Sequence, residues 1–309
     1  MVSASNVNRN AIFAGASEKS AQPVFTSRRV RRYRPSTVIY QCVRAFFLAL
    51  IVLLIVAPFY WLLSSSFKPT GEIFNLPITY YPHTFTLENY VTIFRIGNFT
   101  RYFVNSTAVS ITGSGLAVVS ALLAAYVMTR FKFRLRRYVL IFFFLTQMLP
   151  GFVGLAPMYR MLSQAGMIDK LPTLVLVNMA SLIPFSVITL SGFYQGVPVS
   201  IEEAALIDGA SRLKTLVLVV FPIIMPGISA VFIFGFVQAW NNLFAPALFM
   251  NRDSNYTIPV ALNAMVLKNN IRWAELSAGS VVAIVPTIIM FGFVQKYVAS
   301  GLTAGAIKG

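Results

Sequence analysis

Charge is what this sequence has least of. Only 11% of its 309 residues are Asp, Glu, Lys or Arg, against roughly 25% in an ordinary soluble domain, while 57% are hydrophobic. Such a chain cannot hide its apolar surface from water, which excludes an ordinary soluble domain. Cysteine and histidine are nearly absent, one of each, Cys42 and His83. A lone cysteine forms no intrachain disulfide and no Cys-rich metal centre. One histidine in a loop leaves no catalytic set for a membrane-embedded enzyme. A Gly-rich phosphate loop of the Walker type is missing too, so the chain does not bind ATP by that route. Acidic residues are scarce, nine against 25 basic, giving a net charge of +16. In a soluble protein that excess raises nucleic-acid binding; here membrane orientation explains it, and no nucleic-acid partner is expected.

What is present is long uncharged sequence. Windows without Asp, Glu, Lys or Arg cover 45–67, 102–129, 138–159, 171–201, 215–251 and 276–295. A helix needs about 20 apolar residues to cross the hydrocarbon core, so the six windows predict an all-α, polytopic membrane protein. Its six transmembrane helices are expected at about 45–66, 103–128, 138–159, 172–195, 218–242 and 276–296. Residues 1–34 read as a disordered tail ending in Arg28, Arg29, Arg31, Arg32 and Arg34. The loop after the second window carries Arg130, Lys132, Arg134, Arg136 and Arg137. Basic residues next to spans are retained on the cytoplasmic side, so both termini, the loop 197–214 and a C-terminal tail 297–309 are expected in the cytoplasm.

The loop 197–214 is the most specific stretch. Ser200 three residues before Glu203 has the spacing of a capping box, predicting a helix from Ile201 that Ala204, Ala205 and Leu206 propagate and Gly209 ends in the left-handed conformation. Ser211 then caps a second helical piece running through Lys214, with Pro222 and Pro226 bending the entry into the fifth span. Ile201, Ala204, Ala205 and Ile207 present small apolar surface beside Glu202, Glu203 and Asp208, in a loop too short to bury it against itself. Such a patch calls for a partner.

The pattern Glu-Ala-Ala, three residues, Gly, then Pro222 resembles the "EAA" signature of permease subunits of binding-protein-dependent ABC importers. The resemblance implies a type I ABC importer permease fold, with Glu202, Glu203, Ala204, Ala205, Asp208 and Gly209 in a coupling helix seated on a cytoplasmic ATPase subunit. Further stretches are similar to the second permease subunit of maltose-type systems: Ser65 to Pro69, Glu88 to Tyr90, Asn105-Ser106, Gln238 to Asn242 and the C-terminus. There Gly301, Leu302, Thr303, Ala304, Gly305 and Lys308 are implied at the ATPase interface. The resemblance spans about residues 45–309. It implies a non-identical permease partner, two copies of an ATPase subunit, an extracytoplasmic binding protein contacting about 252–275, and a bacterial cell membrane. The chain itself carries no cofactor; ATP and Mg belong to the ATPase partners.

Polar side chains inside spans either line a path or bond a neighbouring helix. Gln147, Asn178, Gln238, Asn241 and Asn242 are the amides in question, with Trp240 beside them, and Gln238, Trp240, Asn241 and Asn242 form the candidate solute path. Uncharged amides and aromatics suit a neutral sugar, whereas a metal ion asks for carboxylates or thiolates. Gly113, Ser114, Gly115, Ala121, Ala124 and Ala125 read as close helix packing. A stand-alone secondary transporter or channel for a small polar solute is the alternative, although it usually shows ionisable residues within spans or an internal repeat.

Overall fold

The computed structural model describes residues 35–96, 98–267 and 271–306, so the tail 1–34 and Lys308 lie outside the described residues. The described residues hold twelve α-helices and no strand, as the windows predict. They divide within the first helix, α1 (Pro35–Ser66). In the first unit, Met1–Leu54, α1 exposes an apolar surface, with Phe46 65% and Leu54 67% accessible. A helix that is apolar all round needs an apolar surrounding, here lipid.

The second unit, Ile55–Gly309, is built on α3 (Phe99–Arg130). Gly113, Ala117, Ala121 and Ala125 recur every fourth residue on its buried side. Small residues at that spacing let helices approach closely in a membrane, where packing rather than the hydrophobic effect holds them together. Two helices use the approach, α6 (Leu171–Gln195) and α9 (Phe221–Trp240). A Cβ at Gly113 would sit 3.2 Å from Cβ of Asn178 on α6, and one at Gly227 of α9 would sit 2.5 Å from the Phe193 ring.

Among the described residues five helices are long and apolar enough to cross a membrane. The third window departs from the single span expected over 138–159. It folds as two helices, α4 (Arg136–Met148) and α5 (Leu155–Gln164). The cause is Pro150: proline lacks a backbone donor and pushes the preceding residue to extended backbone, and Leu149 stands at ψ 136°.

The fifth window runs without a break from Arg212 to Trp240. It comprises α8 (Arg212–Thr215), a π-helical stretch Leu216–Val220 and α9. Pro222 and Pro226 cannot donate to the preceding turn, and the wider winding lies just before them. The last helix, α12 (Trp273–Ala306), continues through the residues expected as a tail from 297. That stretch contains no proline, and Ala299, Leu302 and Ala304 are strong helix formers.

At one end of the unit, α7 (Val199–Ile207) joins α6 to α8. At the other end lie α2 (Glu88–Ile96), α10 (Phe244–Phe249) and α11 (Ile258–Val266). The core follows this division. Leu122, Leu190, Tyr194 and Val220 pack near α7, while Phe99, Phe236, Trp240 and Ile258 pack near α2 and α11.

Replacing Gly227 by Val should lower stability by roughly 2 kcal/mol, because the new side chain displaces the Phe193 ring from a packed contact. Gly115→Ala, where an added Cβ meets nothing within 4 Å, should be neutral within roughly 0.5 kcal/mol. Thermal unfolding of both variants in detergent checks the contrast, and equal shifts would refute the close packing.

Candidate functional site

The α7 segment is the first candidate. Proline opens the helix: Pro198 is extended (ψ 133°), and the helix begins at Val199 with no side-chain cap. The expected capping box is therefore not formed. Ser200 sits inside the first turn instead of at the cap, because the Pro198 carbonyl already accepts from Ile201 N–H at 3.2 Å. The C-terminal expectation holds. Gly209 takes φ +85°, its N–H bonds to the Leu206 carbonyl at 3.1 Å, and Ala210 N–H bonds to the Ala205 carbonyl at 3.0 Å. These two bonds make a Schellman stop, which needs a residue free to adopt positive φ. Ser211 caps α8 as predicted, accepting from Lys214 N–H at 3.3 Å.

Of the six residues expected on the partner-facing surface, Glu203, Ala204, Asp208 and Gly209 are exposed and Ala205 is half-buried, beside an Ile207 that is 86% accessible. Glu202 is the exception. It is buried, 5% accessible, and turned into its own bundle. Arg130, the last residue of α3, donates to Glu202 Oε1 through Nε and Nη2, both at 2.7 Å. The second guanidinium branch also donates to the Val197 carbonyl at 2.8 Å, and the Tyr126 hydroxyl reaches Glu202 Oε2 at 3.3 Å. Tyr194 packs its ring 5.8 Å from that of Tyr126 and donates to the Leu122 carbonyl.

Arg130 thus serves as the bolt that fixes α7 to α3, whereas sequence reasoning counted it only as an orientation signal. The signal was there: Tyr126 and Arg130 lie one helical turn apart, facing a loop that holds the carboxylates Glu202, Glu203 and Asp208. Spacing alone did not say which of those carboxylates turns inward.

The second candidate is a cleft of about 520 Å³. It gathers all five amides expected inside spans: Gln147, Asn178, Gln238, Asn241 and Asn242. Phe152, Phe185, Phe234 and Phe244 add aromatic wall, and among the described residues no Asp, Glu, Lys or Arg lines it. The break between α4 and α5 supplies Gly151 and Phe152, so irregular backbone faces a cavity, the setting in which membranes tolerate it. Two of the amides also work within the fold. The Asn241 amide donates to the Val237 carbonyl at 2.9 Å, and Asn242 Oδ1 accepts from Ala245 N–H at the start of α10.

Trp240 does not belong to this cleft. It is 2% accessible, its indole N–H donates to the Ala283 carbonyl of α12 at 2.9 Å, and its ring stacks on Phe236. The helical phase that turns Gln238 and Asn241 toward the cleft turns Trp240 toward α12.

The short motifs singled out in the sequence are clasps at the end opposite α7. Asn89 donates to the carbonyls of Ser66 and Lys68, and Ser66 shares a 2.8 Å hydrogen bond with Tyr90. Lys68 is buried; it donates to the Thr79 carbonyl and lies over the Trp61 ring. Asn105 donates to the carbonyls of Ser254 and Tyr256, and the Ser106 hydroxyl accepts from Ile258 N–H.

Two carboxylates close the loops at this end. The His83 N–H, against opposition from burial and with help from Thr84 and Thr79, holds the Glu72 carboxyl below its usual range. Burial pushes Asp169 the other way, but the Arg252 and Asn251 N–H groups, the Asn255 amide and the Arg252 guanidinium outweigh it and keep that carboxyl low.

The family model described as "Binding-protein-dependent transport system inner membrane component" matches residues 113–303. The inner membrane ABC transporter permease protein YcjP of Escherichia coli (strain K12) is 34% identical over 264 residues, covering 85% of this chain and 94% of the relative. The diacetylchitobiose uptake system permease protein DasC of Streptomyces coelicolor is 33% identical over 256 residues, covering 82% and 92%. Among solved structures, a chain of a bacterial ABC transporter involved in the import of the acidic polysaccharide alginate superposes with a TM-score of 0.77 at 20% identity, covering 86% of this chain and 98% of that one.

Removing the Glu202 carboxylate strands the Arg130 guanidinium in a buried site, which costs about 3 kcal/mol or more. Glu202→Ala should therefore lower the unfolding midpoint clearly, while Glu203→Ala, at an exposed position, should change stability by less than about 0.5 kcal/mol. Thermal melts of the purified variants test the pair of expectations.

Proposed function

We propose, from the premise that the chain belongs to the binding-protein-dependent transport system inner membrane components, that it forms half of an import pathway for a neutral sugar or oligosaccharide, driven through α7 by separate ATPase subunits. As a permease subunit of an ABC importer, with the type I fold, it is a transport component and not an enzyme. That membership displaces the stand-alone transporter or channel. In the fuller assembly a second, non-identical permease completes the pathway. Two ATPase subunits hold ATP and Mg, and an extracytoplasmic binding protein delivers the cargo. The orientation follows the arginine count: α7 and both termini in the cytoplasm, the loops around α2, α10 and α11 outside a bacterial cell membrane.

One observation carries the reading. The two helices that contribute Asn178, Phe185, Phe234 and Gln238 to the amide cleft, α6 and α9, are the same two that α7 and α8 connect. A displacement of α7 therefore acts on both walls of the cleft. On α7, Glu203 offers a charge to a basic residue of the ATPase, Ala204 and Ala205 permit close approach, and Gly209 sets the angle to α8. Glu202 holds the helix to its own bundle. The C-terminal stretch from Gly301 to Gly305, with Lys308, extends the same ATPase contact.

The lining of the cleft supports a neutral sugar as the cargo. A sugar presents hydroxyls to amides and C–H faces to rings, and a site without charge has nothing to balance an ionised cargo. Inside the cleft, Gln238 is one of three amides, with Gln147 and Asn178, that make no side-chain hydrogen bond within the fold among the described residues.

Gly209→Val forces a β-branched residue into positive φ and should uncouple the assembly: binding-protein-stimulated ATP hydrolysis continues while uptake falls about tenfold or more. Unimpaired uptake in that variant would refute the role of α7. The cargo is tested by measuring binding-protein-stimulated ATPase activity of the reconstituted complex against a panel of neutral and acidic saccharides. Gln238→Leu should weaken uptake of the accepted sugar about fivefold, the equivalent of one lost hydrogen bond. Stimulation by acidic saccharides alone would overturn the neutral-sugar reading without touching the coupling.

A further inference from the structure

A second groove lies at the α7 end of the unit and is unrelated to the amide cleft. It measures about 670 Å³ and runs from the turn after α3 along one face of α4. Its upper wall is Lys132, Arg134, Arg136 and Arg137; its lower wall is Leu140, Ile141 and Phe144, with Phe133 at the turn. Arg137, Leu140, Ile141 and Phe144 stand at helical positions i, i+3, i+4 and i+7, which places them on one face. From Arg136 to Phe144 the helix rises about 12 Å at 1.5 Å per residue.

The groove thus passes from cations to bare hydrocarbon over the distance from a lipid phosphate to the upper part of its acyl chains. Among the described residues none of these four cations forms an ion pair or a side-chain hydrogen bond, and no carboxylate lines the groove. Two of the cations, Arg136 and Arg137, occupy the first turn of α4, which holds no acidic residue and whose cap makes no side-chain hydrogen bond. Positive side chains there face the positive end of the helix dipole, an unfavourable placement unless an anion sits between them.

We propose that this groove is a binding site for one anionic phospholipid of the cytoplasmic leaflet, its phosphate held by Lys132, Arg134, Arg136 and Arg137 and an acyl chain laid along Leu140, Ile141 and Phe144. The order of the walls selects an amphiphile. A soluble anion would leave the apolar face uncovered, and an acidic protein surface would not extend along α4 into the membrane. The cytoplasmic leaflet supplies the anion, because its negative surface potential draws basic clusters next to spans. The leaflet assignment rests on the proposed orientation; the chemistry of the groove does not.

The test uses the complete transporter complex, purified and exchanged into nanodiscs of phosphatidylcholine with a minor fraction of phosphatidylglycerol. After transfer to lipid-free detergent, the lipid retained is counted by native mass spectrometry. The wild-type complex should keep phosphatidylglycerol in preference to phosphatidylcholine, and millimolar inorganic phosphate should not displace it. Arg136→Gln with Arg137→Gln should weaken retention about tenfold or more, and Phe144→Ser should weaken it while leaving the cations in place.

Retention unchanged in both variants would overturn the site. Displacement by phosphate alone would overturn the lipid as its occupant, and so would a cross-link from Ile141→Cys to a partner chain in the wild-type-like complex. The orientation is read separately, from labelling of Lys132→Cys in a Cys42→Ser background by an impermeant thiol reagent in intact cells. Labelling from outside would sink the cytoplasmic assignment, while the retention measurement would still judge the groove.

Discussion

The ion pair between Arg130 and Glu202 is the contact on which the working end of this molecule depends. A nine-residue helix such as α7 has too little internal stability to hold its place by itself, and most of its residues are exposed. Burying one carboxylate against a guanidinium at the end of the longest-packed helix solves the problem in a low-dielectric setting, where a loss of either partner is costly. The same guanidinium also takes up the Val197 carbonyl left free where α6 ends. One side chain therefore joins the end of α3, the end of α6 and the start of α7. Besides the chain itself, this joint connects α7 to the bundle.

The bundle is assembled by absence of side chain as much as by its presence. The row Gly113, Ala117, Ala121 and Ala125 on α3, with Gly227 and Gly235 on α9, lets three helices approach closely: Gly113 faces the backbone and Cβ atoms of α6, Gly227 receives the Phe193 ring and Gly235 the Leu182 side chain. Larger residues there would hold the helices apart, and in lipid no gain in apolar burial would offset the lost contact. Where the packing is interrupted, by Pro150 between α4 and α5, the interruption is lined with amides and aromatic rings. The break contributes Gly151 and Phe152 to that lining, while most of the amides come from α6, α9 and the turn after α9.

At the far end the loops are ordered by backbone carbonyls that amide side chains capture, Asn89 on Ser66 and Lys68, Asn105 on Ser254 and Tyr256. Asp169 does the reverse, collecting N–H groups from Asn251 and Arg252. These contacts tie α2 to the end of α1, the loop at 254–256 to α3, and Asp169, just before α6, to the end of the fifth window, so the loops at this end are firmly held. The stretches Ser65 to Pro69 and Glu88 to Tyr90 are two halves of the same hydrogen bonds, 21 to 24 residues apart in the chain, whereas Asn105 and Ser106 bond to groups 149 to 152 residues further on.

How much of this was legible can be argued from particular residues. Composition alone determined the class, because a chain with 11% charged residues and six uncharged windows has only a membrane in which to fold, and local chemistry determined the stop at Gly209 and the cap at Ser211, which involve neighbours within four residues. The five intramembrane amides were also visible, since a polar residue inside an apolar window stands out wherever it points. What the sequence could not say was direction. Glu202 and Glu203 are adjacent and chemically identical, yet one is bolted to Arg130 and the other faces outward; Gln238 looks into the cleft while Trp240, two residues on, packs on α12. Those choices depend on which neighbour a helical face meets, and that neighbour lies 43 residues away for Trp240 and 72 for Glu202, so only the packed tertiary structure decided them.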